Sequence, residues 1–369
     1  MTRQNPFRRI LAAMKGFGFK QWFIAVLLVA LLLASAASLV GLRIVSHTLE
    51  SMTAADRFRG GTETRFAQLG CFLPAGQGKT EEDILKFRET LDSKLVEQSL
   101  EAPENGSLYL DAYCGMATVT AVGNNGASAS VGAIGVGGDF FYFHPLPLRS
   151  GSYIKGGDLM DDLVVLDEET AWKLFGGTDL TGMGMTINGK PFVVSGVIAR
   201  EDDFATAKAY SGDSGIFLSY SALSRLLENT SVTCYELVMP DPISGYAQNL
   251  VKETFPVGTG DVVENSSRYT LSHLWEVIRD FGNRSMRTNG VMYPYWENAA
   301  RLTEDYAALL LVLAGLFAFY PACFALVHLI RSVIRTYRFA KAKIPEKVEA
   351  AVEKRREERL ENAFKNKGG

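Results

Sequence analysis

Histidine is scarce in this chain of 369 residues, with four in all, at His47, His144, His273 and His328. No two of them share the spacing at which a helix or turn presents two imidazoles to one ion, so the pattern gives a metal site no support. Cysteine is as rare. Cys323 falls in a long apolar run, which leaves Cys71, Cys114 and Cys234, and an odd number allows at most one disulfide among them. Cys71 and Cys114 are the expected pair if one forms, since each sits in a strand-like run flanking one predicted helix. Three buried thiols are the favoured reading, because a domain of this size needs no staple.

Phosphate loops are missing too. Gly78-Lys79-Thr80 has the ending of a nucleotide-binding loop, but the first glycine of that pattern would have to be residue 73, which is Leu73. Gly135-Val136-Gly137-Gly138 lacks the helix start of a dinucleotide loop and is expected to be a bend at a sheet edge. Serines, histidines and aspartates are scattered, with no paired acids and no nucleophile beside a base. The chain is therefore expected to be no enzyme and to bind no cofactor itself.

Charge is absent over Gln21–Leu42 and Tyr306–Ile330, 22 and 25 residues, each longer than the roughly 20 residues a helix needs to cross a hydrocarbon core. Elsewhere the charge is unevenly placed. Residues 1–21 hold five basic groups and no acid, residues 331–369 hold twelve basic and six acidic groups, and the stretch between carries −14 although the whole chain carries only −3. Short basic flanks stay on the inner side of a membrane. An acidic stretch of this length lacks the clustered basic face that nucleic acid requires.

The expected organisation is a cytoplasmic amphipathic segment over 1–20, a transmembrane helix over 21–43, an extracytoplasmic domain over 44–304, a second transmembrane helix over 305–330 and a basic cytoplasmic helical tail over 331–369. Ala34-Ser35-Ala36 would suit a signal peptidase, but the apolar run exceeds a signal core and the first helix is expected to be retained. Val45–Arg59 is expected to extend it as a helical stalk. Arg65–Leu73 follows as a strand, and Thr80 caps a helix over Glu81–Ser99. Ser107–Val122 and Ala127–Val136 are strands about a Gly-Asn-Asn-Gly turn, then Phe140–Pro147 is an extended aromatic connector. Past residue 200, Glu201–Ser214 is a loop, Ile216–Leu218 and Cys234–Met239 are strands, and Ser221–Leu227, Gly245–Phe255 and Leu271–Phe281 are helical. Tyr293-Pro294-Tyr295-Trp296 is either an interfacial aromatic belt or a cluster packed under a loop. After Pro345 a separate charged helix is expected, either solvated or a docking element for a cytoplasmic partner.

The most informative stretch is Asp162–Val197. Its apolar run Leu163–Leu166 makes a buried strand and Asp167 a helix cap. Ala171, Leu174 and Phe175 recur as one helical face, stopped by Gly176-Gly177. Two further strands, Met183–Ile187 and Pro191–Ile198, are joined by Asn188-Gly189, the dipeptide suited to a tight hairpin. The order Val164-Val165-Leu166-Asp167, Ala171, Leu174-Phe175-Gly176, Asp179, Gly182, Ile187-Asn188-Gly189, Phe192-Val193-Val194 and Gly196-Val197 resembles the extracytoplasmic core domain of MacB-type ABC transporter permeases. The likeness continues more loosely from Ile134 to Leu227, through Asp139-Phe140-Phe141, Pro147-Leu148, Gly151 and Ile216-Phe217-Leu218.

That resemblance implies an α+β extracytoplasmic domain (a MacB-like periplasmic core) flanked by two transmembrane α-helices in a bacterial cell membrane. It further implies an ABC ATPase subunit as partner, ATP acting through that partner, and an outer domain that moves in export or mechanotransmission. Family permeases usually have four spans and this chain has two, so a second permease subunit or a homo-oligomer is the expected complement. The alternative is a non-transporting membrane scaffold or sensor whose outer domain binds a peptide or envelope component. Small residues at Ala30, Ala34 and Ser38 in the first span, and at Ala314, Ala318 and Ala322 in the second, form stripes expected to pack against other helices.

Overall fold

A computed structural model describes residues 18–61, 63–98, 107–155, 160–210, 215–284 and 290–365. The amphipathic segment expected over 1–20 lies almost wholly outside the described residues. The chain divides into two compact units, Gly41–Leu309 and Met1–Val40 with Leu310–Gly369.

In chain order the elements begin with α1 (Phe19–Val45) and α2 (Ala54–Arg59), then β1 (Phe66–Phe72), α3 (Glu81–Glu97), β2 (Leu110–Gly123) and β3 (Ser128–Gly138). They continue through α4 (Phe140–Phe143), β4 (Leu148–Gly151), β5 (Leu163–Asp167), α5 (Glu168–Phe175), β6 (Gly184–Ile187) and β7 (Lys190–Ile198). Next come α6 (Thr206–Ala209), β8 (Ile216–Ser219), α7 (Tyr220–Leu226), β9 (Cys234–Pro240), α8 (Tyr246–Thr254) and β10 (Asp261–Glu264). The last are α9 (Leu271–Arg279), α10 (Phe281–Arg284) and α11 (Tyr295–Lys365).

Local chemistry accounts for many of these boundaries. Thr80 Oγ1 accepts from the Asp83 amide, and the Asp83 carboxylate accepts from the Thr80 amide at 2.9 Å, a capping box that fills the start of α3 with the chain's own carboxylate. Asp167 caps α5 by accepting from the Thr170 amide at 2.7 Å, and Gly176 ends that helix in the left-handed region. Asn188 and Gly189 both have positive φ, 48° and 78°, as the two-residue turn between β6 and β7 requires.

Among the described residues ten strands form one mixed sheet in the order β10-β1-β9-β2-β3-β8-β5-β7-β4. Strand β6 pairs with both β2 and β7, so β2, β3, β8, β5, β7 and β6 close into a ring. Val119, Val131, Val164, Leu166, Ile187, Val194 and Leu218 belong to the apolar core at this ring. The rest of the sheet has two faces. On β1 and β9, Leu69, Cys71, Tyr235 and Leu237 share a core with Phe87 and Leu91 of α3 and Val251 of α8. The alternation of a strand turns Gln68 and Glu236 to the other face.

Several expectations need correction. Gly135–Gly138 lies within β3, between β2 and β8, and is not an edge bend. Glycine is needed because a β-carbon at Gly137 would fall 2.2 Å from the Tyr113 ring, and one at Gly135 would press on Leu223 of α7. Phe140–Phe143 is a helical turn, its apolar side chains drawn into the core. The predicted stalk over Val45–Arg59 does not continue α1. Leu49, Met52, Ala54 and Ala55 are buried, so the chain leaves the helix at Val45 and folds into the core. For the cysteines the reading as three buried thiols is the observed one: β9 keeps Cys71 and Cys114 apart, Cys114 lies opposite Cys234, and all three are free. No separate helix starts at Glu346: α11 runs through Pro321 and Pro345 without ending, each proline forfeiting one main-chain hydrogen bond.

In the other unit, α1 packs along the part of α11 beyond Leu309. Ser35 Oγ donates to the Ala314 carbonyl at 2.9 Å, both residues buried. Phe23, Leu33, Leu316 and Phe319 point outward. Both helices are long and apolar enough to cross a bilayer.

Candidate functional site

The part of α11 that precedes the uncharged stretch at Tyr306 is bound into the outer domain through two layers of contacts. In the first layer Trp296 is buried, with its ring 4.4 Å from the His144 ring and 5.6 Å from Phe140. His144 Nε2 lies 2.5 Å from Glu236 Oε2, and both side chains are buried. Tyr295 stacks on Tyr210 at 4.4 Å, and Ala299 and Ala300 are wholly buried. The packed alternative for Tyr293–Trp296 is therefore the observed one.

The second layer centres on Arg268, which is 1% exposed. A short 3-10 turn at Asn265–Ser267 follows β10 and aims Arg268 inward, and Asn265 Oδ1 accepts from its Nε at 2.8 Å. Glu297 and Glu304 lie two turns apart on α11 and so share a face. Arg268 Nη2 donates to Glu297 and Nη1 to Glu304, the latter at 2.5 Å. Arg301 closes the pattern from the helix itself, donating to Glu297 at 2.9 Å and reaching Asp261 of β10 at 3.3 Å. Arg284 pairs with Glu304 and Asp305, His273 Nε2 lies 3.5 Å from Glu304, and Tyr269 bonds Thr303 at 2.7 Å. Burial alone would raise the Glu304 carboxyl, yet the Arg268 charge, the His273 contact and Arg284 hold it well below the usual carboxylate range.

The segment after α1 is tied to the same place. Gln68 Nε2 donates to the Ser51 carbonyl at 2.7 Å, and Gln68 Oε1 accepts from the Ala54 amide at 2.9 Å. Its own amide donates to Ser266 Oγ at 3.0 Å. Direct contacts therefore run from Ser51 through Gln68 to the turn that carries Arg268, and from Arg268 to α11. Such a chain resists independent displacement of its members, because moving any one leaves a buried polar group unpaired.

The residues singled out for helix packing are only partly brought together. Ser38 and Ala314 are buried, Ala34 and Ala318 half-buried, and Ala30 and Ala322 exposed. Ser38 bonds the Ala34 carbonyl of its own helix, and the hydrogen bond to the second span comes from Ser35. Ser35 and the Arg268 cluster were missed in the sequence. The one available signal was a pair of acids, Glu297 and Glu304, at heptad spacing just before an uncharged run.

The family described as MacB-like periplasmic core domain matches residues 24–265, ending just short of Arg268. The periplasmic region of MacB from Actinobacillus actinomycetemcomitans aligns at 16% identity over 59% of this chain and 94% of its own length, with a TM-score of 0.40. The extracellular domain of the noncanonic ABC-type transporter YknZ from Gram-positive bacteria aligns at 15% identity over 52% and 88%, with a TM-score of 0.34. No curated protein matches.

Proposed function

Because this chain belongs to the MacB-like periplasmic core domain family, whose relatives are ABC transporter permeases, we propose that it is the membrane subunit of an ABC-type export or mechanotransmission system. In this reading a separate ATPase subunit hydrolyses ATP on the cytoplasmic side. The spanning helices carry the resulting movement to the outer domain, both termini are cytoplasmic, and a second permease or a second copy supplies further spans.

The observation that carries the proposal is the continuity of α11. One helix runs through the apolar stretch and on through Glu304, Glu297 and Trp296, where the outer domain holds it by buried ion pairs and packed rings. A shift or rotation of such a helix must move the domain with it, since interiors packed at crystal-like density do not absorb displacement smoothly.

The test is affinity purification of the tagged full chain from its native membranes. An ATPase and a second permease should be recovered in stable proportion. Recovery of neither would favour the scaffold or sensor reading over transport.

A further inference from the structure

We propose that α9 is a membrane-surface foot, its outward apolar face lying in the headgroup and acyl boundary of the outer leaflet. The helix has more apolar face than the domain covers. Leu274 and Val277 are buried, whereas Leu271 and Trp275 are 70% and 64% exposed and Ile278 is half-buried. Leu271, Trp275 and Ile278, at i, i+4 and i+7, share one side of the helix. Ser272, Glu276 and Arg279 form a polar strip that borders this face beside Trp275, opposite the buried Leu274 and Val277. Phe281, just beyond the helix, is also exposed.

The position of α9 along α11 identifies what covers that face. Tyr269, just before α9, bonds Thr303, His273 within it approaches Glu304, and Arg284, just after it, pairs with Glu304 and Asp305. The foot is thus fastened to the last turn of α11 before the uncharged stretch opens at Tyr306. A second aromatic lies at the same level, because the half-exposed Phe204 ring meets Tyr306 edge-on at 5.2 Å with the Lys208 amine 5.6 Å over the same Tyr306 ring. The exposed apolar surface of the span begins a few residues on, at Leu309 and Val312.

A helix held where a span passes from charged to apolar sequence lies at the depth of the bilayer interface. Tryptophan with an aliphatic side on the same face is the composition that interface selects. In water the same face would be an exposed apolar patch without a function. The occupant is therefore lipid, continuous with the lipid that covers the span.

The experiment uses the full chain at one copy per nanodisc, with lipids brominated near the headgroup end of the acyl chain. The fluorescence of the wild type minus that of Trp275→Phe isolates Trp275 from Trp22, Trp172 and Trp296. Most of this difference signal should be lost with brominated lipid and retained with unbrominated lipid. If brominated lipid leaves it unquenched, the proposal is overturned. Quenching by aqueous iodide would then show a face turned to water, and protection from iodide as well would show that protein covers it. Trp275 is exposed and the replacement aromatic, so folding is not at risk, and Leu271→Trp in the Trp275→Phe chain repeats the measurement one turn away.

Discussion

Arg268 and Glu304 lie 36 residues apart in the chain and meet through a 2.5 Å charge-assisted hydrogen bond with neither side chain more than 3% exposed. A buried ion pair is rarely a net source of stability, because desolvation of both charges offsets their attraction. What this one fixes is position. The guanidinium fork accepts one rotation and one height of α11, that which brings Glu297 and Glu304 together on the same side.

Removing the cation should therefore cost far more than the pair contributes. Arg268→Ala leaves Glu297 and Glu304 buried with only Arg301, Arg284 and His273 beside them, and a loss of about 3–5 kcal/mol is expected. The unfolding midpoint of the purified chain reports it. If the midpoint does not move, water reaches the cluster and the hold on α11 is not a buried one.

Acid should release the same hold. The Glu304 carboxyl is depressed in the folded chain, so the stability it contributes is complete above its unfolded pKa of about 4.3 and is lost as pH falls towards the folded value. Wild type should exceed Glu304→Gln in unfolding midpoint at about pH 6, and the gap should hold down to about pH 4.3 and narrow below it towards about pH 3. A gap that is constant across this range would assign the difference to lost hydrogen bonding and not to charge.

The parts legible in the sequence were those fixed by neighbours in the chain. The β5 to β7 unit, the cap at Thr80 and both spans follow from capping residues, Asn188-Gly189 and unbroken apolar runs, all of which act within a few residues. Elements shaped by distant contacts were not legible. Gly137 reads as a bend until Tyr113 is known to lie across it, and Val45–Arg59 reads as a stalk until Gln68 is known to bind Ser51 and Ala54. The Arg268 cluster is the extreme case, since an isolated arginine carries no local signal and its meaning comes from Glu297 and Glu304 on another element.

The proposed orientation is checked by labelling in intact cells. A cysteine at Asn125, exposed in the turn between β2 and β3, should react with an impermeant maleimide, and one at Lys354 should not. The native thiols should stay silent: Cys71, Cys114 and Cys234 are buried, which pushes the Cys71 and Cys234 thiols up, only the thiolate is reactive, and Cys323 lies in the apolar run of α11, which an impermeant reagent does not enter. Labelling at Lys354 in unbroken cells would reverse the proposed placement of the termini.

The small-residue stripes divide into buried and exposed positions, and the proposed packing against a partner can be tested at the exposed ones. Ala314 is buried and its carbonyl accepts from Ser35, so Ala314→Leu forces bulk between two helices of the same chain, at a cost of roughly 1–3 kcal/mol. It should lower the unfolding midpoint whether or not a partner is present. Ala30 and Ala322 are exposed, and leucine there meets nothing within the chain. Lipid offers helices no hydrophobic reason to associate, so small exposed residues favour assembly only where another backbone comes close. Ala30→Leu and Ala322→Leu should then leave the midpoint of the isolated chain unchanged and reduce recovery of the second permease or second copy in detergent pull-downs. Undiminished recovery with both variants would mean that these positions face lipid, and any partner would have to contact the spans elsewhere.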